Sequence, residues 1–311
     1  MEMNEQPRER RSVPRTITPL SVPAVNGLGI LRFPLKHEAL SESVKAALDE
    51  DGAFDDVTTI ATVVSDRRSR GTLMAREKGV ICGVPLALEA FRLLDPKVSI
   101  RVDHEDGGRV RAGDPVLFIA GHARGLLSAE RVALNYLQRL SGIATLTARY
   151  VDAVKGTKAK ILDTRKTTPG WRTLEKYAVR AGGGTNHRMN LSSGVLIKDN
   201  HLAALDGDIA MAVSRARAIA QPGVKIEVEC DRPEQVERAV AAGADVIMLD
   251  NMTPDLIHEC VRLVNGRAIL EASGGVTLST VRRIADTGVD WISVGALTHS
   301  APSMDLALDF D

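Results

Sequence analysis

From Lys160 onward, short apolar runs alternate with amphipathic segments. The runs KILD, GVLI, VKIEVE, DVIML, AILEA and DWISVG suit buried parallel strands. Between them, RTLEKYAVRAG, HLAALDGDIAMAVSRARAIA, PEQVERAVAAG, PDLIHECVRLV and LSTVRRIADTG have one apolar and one polar face when wound as helices. Strand and helix alternating over the whole second half predict a (β/α) barrel or an open doubly wound sheet. No GxGxxG follows a strand, and no GxxxxGK precedes Ser or Thr, which lowers the dinucleotide and P-loop options.

The first half has another texture. EALSESVKAALDED places Leu40, Val44, Ala47 and Leu48 at helical spacing, so ordered structure is expected to begin near His37. GTLMARE, GVICGV and VSIRVD are short β-rich runs among Gly and Pro turns, and VRAGDPVLFIAG reads as strand, turn and strand. A Leu- and Ala-rich helix follows over Ser128–Arg139. Together these predict an α+β domain with helices on a largely antiparallel sheet. Residues 1–36 carry five prolines between Pro7 and Pro34 and no apolar periodicity, which reads as a disordered extension.

Composition narrows the function classes. The 40 basic and 40 acidic side chains cancel, so the whole molecule has no field suited to a nucleic-acid backbone. Aromatic residues at 3% are too sparse to stack single-stranded bases. Cys82, Cys230 and Cys260 form no C-x-x-C pair, which argues against a zinc cluster or disulfide framework and suits a reducing cytoplasm. No apolar run approaches membrane-spanning length, and the N-terminus lacks the apolar core of a secretory signal.

Within that neutral chain, one stretch is lopsided. Between Lys158 and His201 stand Lys158, Lys160, Arg165, Lys166, Arg172, Lys176, Arg180, Arg188 and Lys198, against Asp163, Glu175 and Asp199. The imbalance points to an anionic ligand. Polar and glycine residues also follow each strand: Thr164, Arg165 and Lys166; Lys198; Glu229; Asp250 and Asn251; Ser273, Gly274 and Gly275; Gly295. In a β/α barrel, strand C-termini converge on the active-site face. Plainer readings exist for each. Lys158, Lys160, Lys176 and Arg180 read as solvated side chains. Glu229 and Asp250 could cap the helices that follow them, and the glycines could simply form turns. His187 could be a structural hydrogen-bonder, although Arg188 and Gly182–Gly184 beside it suit a ligand-gripping loop.

DTRKTTPGWRTLEKYAVRAGGGTNHRMN, then VLIKDNH, EVEC, IMLDN, EASGG and ISVGALTHSAPSMDLALD, closely resemble the quinolinate phosphoribosyltransferase family. The likeness is collinear from about His37 to Asp311 and includes EDGAFDDVTT and SAERVALNYLQRLSGIAT. It implies an α/β fold with an N-terminal α/β sandwich over residues 37–140 and an atypical open (β/α) barrel over residues 141–300. A C-terminal helix within residues 301–311, around Met304–Leu308, is expected to return to the first domain.

The implied reaction joins quinolinate to phosphoribosyl pyrophosphate, releasing nicotinate mononucleotide, pyrophosphate and carbon dioxide, with Mg²⁺ required. By resemblance, Arg131, Arg165, His187, Arg188 and Lys198 would bind the pyridine dicarboxylate, with Lys166 and Lys198 facing the sugar donor. Glu229 and Asp250 would hold ribose hydroxyls and place Mg²⁺. Thr164 belongs to the substrate rim, while Ser273, Gly274, Gly275, Val294, Gly295 and Ala296 would offer backbone N–H groups to the 5-phosphate. Lys166, Glu229 and Asp250 are the implied catalytic set. The resemblance also implies a homodimer in which Arg131 reaches into the neighbouring subunit's site. Trp171 and Leu191–Gly194 depart from the family pattern beside the grip loop. The rivals are a nicotinate phosphoribosyltransferase of the same fold and an RNA- or polyphosphate-binding module.

Overall fold

The computed structural model describes residues 31–311. Of the expected extension, residues 1–30 lie outside the described residues. Residues 31–36 do not behave as a loose tail. The Phe33 ring meets Tyr177 edge-on at 5.1 Å, and Leu31 and Leu35 also pack on the core. Alternating apolar residues in LRFPL give this segment something to bury despite its proline.

The N-terminal half begins with α1 (His37–Glu50), which buries Leu40, Val44 and Leu48 along one stripe. A 3₁₀ turn (Ala53–Asp55) leads to the short α2 (Val57–Thr62), whose start is capped by the Asp56 side chain accepting from Thr59 N–H. Then come β1 (Arg68–Ala75), β2 (Gly79–Val80), α3 (Val84–Leu94), β3 (Ser99–Val102), β4 (Arg109–Val110) and β5 (Pro115–His122). α4 (Ala123–Ala153) follows β5 without a loop. It is far longer than the Ser128–Arg139 helix expected, so the 140/141 domain boundary falls in its middle. One helix therefore serves both halves, because its buried positions continue from Leu126 through Tyr150.

The C-terminal half runs β6 (Lys160–Leu162), α5 (Arg172–Ala181), β7 (Val195–Ile197), α6 (Asp199–Ala203), α7 (Ile209–Ile219) and β8 (Ile226–Cys230). It continues through α8 (Pro233–Ala241), β9 (Val246–Asp250), α9 (Pro254–Val264), β10 (Ile269–Ser273), α10 (Val281–Asp286), β11 (Trp291–Ser293) and α11 (Ala296–His299). The segment expected as one helix over 201–220 is split into α6 and α7. Asp206 and Gly207 take positive φ there, and Asp208 caps α7 by accepting from Met211 N–H at 2.9 Å.

Six parallel strands form one sheet in the order β6-β11-β10-β9-β8-β7. β6 and β7 are its edges, so the barrel stays open between them, and beside β6 Leu162 pairs with Thr185 of the loop that precedes β7. The N-terminal sheet is antiparallel throughout, in the order β12 (Leu306–Phe310), β1, β5, β3. Its first member, β12, corrects the expected C-terminal helix. Residues 301–311 do reach the first half, but as a strand with Leu308 opposite Leu73. Alternating burial in LALDF sends Leu306 and Leu308 inward together, a period-two pattern. The approach to β12 lies along α4: Arg139 donates to Ala301 O at 3.0 Å and Gln138 to Leu306 O at 2.8 Å. Gly142 makes this contact feasible, since a Cβ there would sit 2.0 Å from Pro302 O.

Two buried carboxylates then fix the loops around the barrel mouth. Glu175 on α5 accepts from Arg139 of α4 at 2.7 Å and from Thr168 N–H and Oγ1–H at 3.1 and 2.9 Å. Asp163, at the end of β6, is ion-paired with Lys176 of α5, both side chains being essentially inaccessible. Lys176 was expected in solvent. Its apolar stem lies in the core, and its ammonium is satisfied by Asp163 and by His187 O at 3.0 Å. Asp163 also accepts from the Asn186 side chain and from His187 N–H at 2.9 Å.

Lys176→Met should therefore lower stability by roughly 3–5 kcal/mol, because Asp163 keeps its burial and loses its charge partner. Lys158→Met, which removes an exposed pair with Asp290, should cost less than about 1 kcal/mol. Urea unfolding of both variants checks the contrast, and similar midpoints would contradict it.

Candidate active site

A cavity of about 740 Å³ opens at the C-terminal ends of the six parallel strands. That volume is ample for a small polar ligand and a sugar phosphate. The cavity is lined by Thr164, Arg165, Lys166, His187, Arg188, Lys198, Glu229, Asp250, Ser273, Gly274, Gly275, Gly295 and Ala296. Thirteen of the fifteen residues anticipated from sequence thus come together.

Two do not. Val294 is 1% exposed, and its N–H donates to Leu162 O at 2.9 Å, so it cannot also serve a phosphate. Arg131 is exposed on α4 and does not line this chain's cavity. Neither Glu229 nor Asp250 caps a helix: Arg232 and Thr253 hold those positions.

The cationic side is built by side chains that do not themselves line the cavity. Arg172 donates to Thr167 Oγ1 at 3.0 Å and to the carbonyls of Arg165 and Met189 at 3.3 Å, pinning two loops. Thr298 Oγ1 donates to Lys166 O at 2.7 Å, and Lys166 N–H to Thr164 Oγ1 at 3.0 Å. Trp171, one of the departures from the family pattern, stacks on Tyr136 with ring centroids 5.2 Å apart. It packs rather than binds.

Arg188 donates to Gly194 O at 3.0 Å and stands near Arg165. Burial and the neighbouring Arg165 charge both push the Arg188 guanidinium below its ordinary value. The Arg165 Nε is buried without a hydrogen-bond partner among the described residues. A pair of like charges with an unsatisfied donor is unfavourable until an anion arrives.

Lys198 and Glu229 form an ion pair across the neighbouring strands β7 and β8. Asp250, at the end of β9, accepts from Asn251 Nδ2 at 2.7 Å. Gly274 must be glycine: its φ is +94°, and a Cβ would lie 2.1 Å from Asn251 Oδ1. Gly295 lets the Lys166 stem and His299 close in, 3.3 and 3.1 Å from where a Cβ would be.

Beneath this rim lies a group of which sequence reading named only His187. Glu227, Glu271 and His187 bring their polar atoms within 4.8 Å of one another. His187 Nε2 is 3.1 Å from Glu227 and 3.6 Å from Glu271. Its Nδ1 accepts the Arg188 N–H at 2.7 Å, which places the ring proton on Nε2, facing the carboxylates. Burial alone would depress this imidazole, but the close approach of Glu227 and the two carboxylate charges outweigh it and hold it above its ordinary value. Burial, then repulsion from Glu227, pushes the Glu271 carboxyl up to about 8. The signal was available: a lone glutamate inside AILEA, and one two residues before Glu229 in VKIEVE, must face the barrel interior.

Comparison with known proteins gives the arrangement its context. The N-terminal domain of quinolinate phosphoribosyl transferase matches residues 56–141, and the C-terminal domain of that family matches residues 143–309. The nicotinate-nucleotide pyrophosphorylase (carboxylating) of Mycobacterium leprae is 46% identical over 282 residues, covering 88% of this chain and 98% of that protein. The probable enzyme of the same name from Bacillus subtilis is 43% identical over 275 residues, covering 88% and 94%. The structure of the nicotinate-nucleotide pyrophosphorylase from Francisella tularensis superposes with a TM-score of 0.84 at 37% identity, covering 90% of this chain and 98% of that one. With both domain models matched in order and an open barrel whose mouth gathers the cationic loop, the chain belongs to the quinolinate phosphoribosyl transferase family.

Proposed function

We infer that this protein is a pentosyltransferase that converts quinolinate and phosphoribosyl pyrophosphate into nicotinate mononucleotide, pyrophosphate and carbon dioxide, a step of de novo NAD biosynthesis. The observation that carries the substrate reading is the crowding of Arg165 against Arg188, with the buried Arg165 Nε unpaired. Guanidiniums grip carboxylates through parallel hydrogen bonds, and a dicarboxylate relieves the repulsion between two of them. A nucleic-acid ligand is disfavoured by the acids Glu229 and Asp250 that share the cavity.

In this reading, Arg165, Arg188, His187 and Lys198 orient quinolinate. Lys166, held by its backbone, faces the departing pyrophosphate. Glu229 and Asp250 hold the ribose hydroxyls and tolerate positive charge developing on the sugar. The backbone at Ser273–Gly275 and Gly295–Ala296 receives the 5-phosphate, with Thr164 at its side. The Lys198–Glu229 pair links the two halves of the site. No side-chain nucleophile is needed, because the pyridine nitrogen attacks the anomeric carbon and positioning lowers the barrier.

Mg²⁺ belongs to the same proposal. Glu229 and Asp250 stand on adjacent strands and line one cavity, and their oxygen donors suit this hard ion. When bound, it would neutralise charge on the pyrophosphate.

A homodimer with shared sites is proposed as well. Phe54, Val57, Ile60 and Val64 expose an apolar patch at α2, which Arg124 of α4 holds through Ile60 O and Val63 O. Ser128 of α4 contacts Asp56 beside it, and Arg131 is the next position along that helix face. An apolar patch flanked by an exposed arginine suits a second copy of this chain. A cytoplasmic setting fits the three free, buried cysteines. No helix among the described residues is long and apolar enough to cross a membrane.

With phosphoribosyl pyrophosphate and Mg²⁺, the protein should form nucleotide from quinolinate and release carbon dioxide in equal amount. Nucleotide formed from nicotinate at a comparable rate would contradict the carboxylating assignment.

Lys166→Ala should cut turnover far more than quinolinate affinity, whereas Arg188→Ala should mainly weaken quinolinate, by about 2–5 kcal/mol. Calorimetry showing both variants binding quinolinate like the parent would remove this division of roles.

Arg131→Ala and Lys166→Ala proteins should each be nearly inactive. Unfolded together and refolded, they should regain part of the parent activity, because one site of each mixed dimer keeps both residues. A mixture that exchanges subunits yet stays inactive would place Arg131 within its own chain's site.

A further inference from the structure

Among the described residues, Glu271 is the one cavity-lining carboxylate with no exposure at all. It sits on the same face of β10 as Ser273 but two residues deeper, about 6–7 Å below the rim at the usual strand rise. Ser293 Oγ on β11 donates to its Oε1. Among the described residues its Oε2 has no hydrogen-bond partner, and neither do the Glu227 Oε1 and His187 Nε2 atoms beside it. The charged and titratable groups that face it are Glu227 on β8, His187 on the loop before β7, and Asp163 at the end of β6, itself paired with Lys176 of α5.

The cluster has the composition of a metal site but not the proton arrangement of one. His187 Nδ1 is already an acceptor, so Nε2 carries hydrogen and offers no lone pair to an ion. Two carboxylates this close, out of water and facing one imidazole, are instead expected to retain a proton.

The reaction inferred above creates a demand for such a proton. Loss of the carboxylate at ring position 2 leaves an electron pair on carbon, and that carbon must gain hydrogen. The cationic side of the pocket binds the carboxylates but cannot by itself drive the loss of one. Arg165, Arg188 and Lys198 would hold negative charge on its oxygens, while carbon dioxide loss requires the charge to move into the ring. The acidic floor does the opposite.

We propose that Glu271 is the general acid that protonates the ring carbon vacated by carbon dioxide. The bond from C2 to the carboxyl carbon breaks, and its electron pair stays on C2, stabilised by the cationic ring nitrogen. The Glu271 Oε2–H bond breaks and the C2–H bond forms as carbon dioxide departs, because without that proton the electron pair recaptures the carbon dioxide, and Glu271 is left as a carboxylate that regains its proton from solvent after product departs. Ser293 is a positioning residue that holds the other carboxyl oxygen. The proposal rests on the quinolinate reading of the site.

The test is a rapid-mixing measurement of pyrophosphate and carbon dioxide from quinolinate, phosphoribosyl pyrophosphate and Mg²⁺. The parent should release the two together. In Glu271→Gln, carbon dioxide should lag pyrophosphate at least tenfold, with a dicarboxylated nucleotide detectable by mass. Glutamine matches the shape of a protonated glutamate, so its melting temperature near pH 6.5 should be no lower than the parent's. Ser293→Ala, which leaves the acid in place but unheld, should show a smaller lag. In the parent, carbon dioxide release should fall as pH rises through about 8, where Glu271 loses its proton, and Glu271→Gln should lack that limb. Carbon dioxide keeping pace with pyrophosphate in both variants would overturn the proposal. A parent that releases no pyrophosphate with quinolinate would overturn the functional reading beneath it.

Discussion

The buried pair of Asp163 and Lys176 is the contact on which the site depends. It joins the end of β6 to α5, and through Asn186 and His187 it draws the following loop into the gap that a further strand would fill in a closed barrel. Burial pushes the Asp163 carboxyl up and the Lys176 amine down, while their mutual attraction opposes both shifts. Such a pair adds little net stability compared with apolar residues of the same shape. Its contribution is geometric, because its bonds to the His187 backbone hold the loop that places Arg188 beside Arg165.

Charge is then layered within one cavity. Guanidiniums and ammoniums occupy the loops at the mouth, the Lys198–Glu229 pair and Asp250 mark the strand ends, and Glu271 lies a step deeper. The layering follows from strand alternation. Glu227 and Glu229 share one face of β8, Met248 and Asp250 one face of β9, and Glu271 and Ser273 one face of β10. Neighbouring layers of opposite sign suit a reaction that binds a polyanion and passes through a cation.

Much of this was legible along the chain. The six parallel strands sit where the apolar runs stood, and the residues after them line the cavity, because burial and period are local properties. The misses have a common cause. Lys176 read as solvent-facing because its partner lies thirteen residues away on another element, beyond any local pattern. Met304–Leu308 read as a helix, whereas β12 exists only because β1 offers it an edge. α4 continued past Arg139 because the barrel packs on its second half. Glu271 was hidden inside an apolar run, where a single charge looks like an interruption instead of an inward-facing acid.

The central claim is that the site is preorganised for two carboxylates before any donor arrives. Equilibrium titration of the protein alone with quinolinate and with nicotinate tests it most directly. The account predicts quinolinate binding at least tenfold tighter, a difference of about 1.4 kcal/mol or more, that shrinks as salt is raised. Equal affinities for the two acids would contradict it.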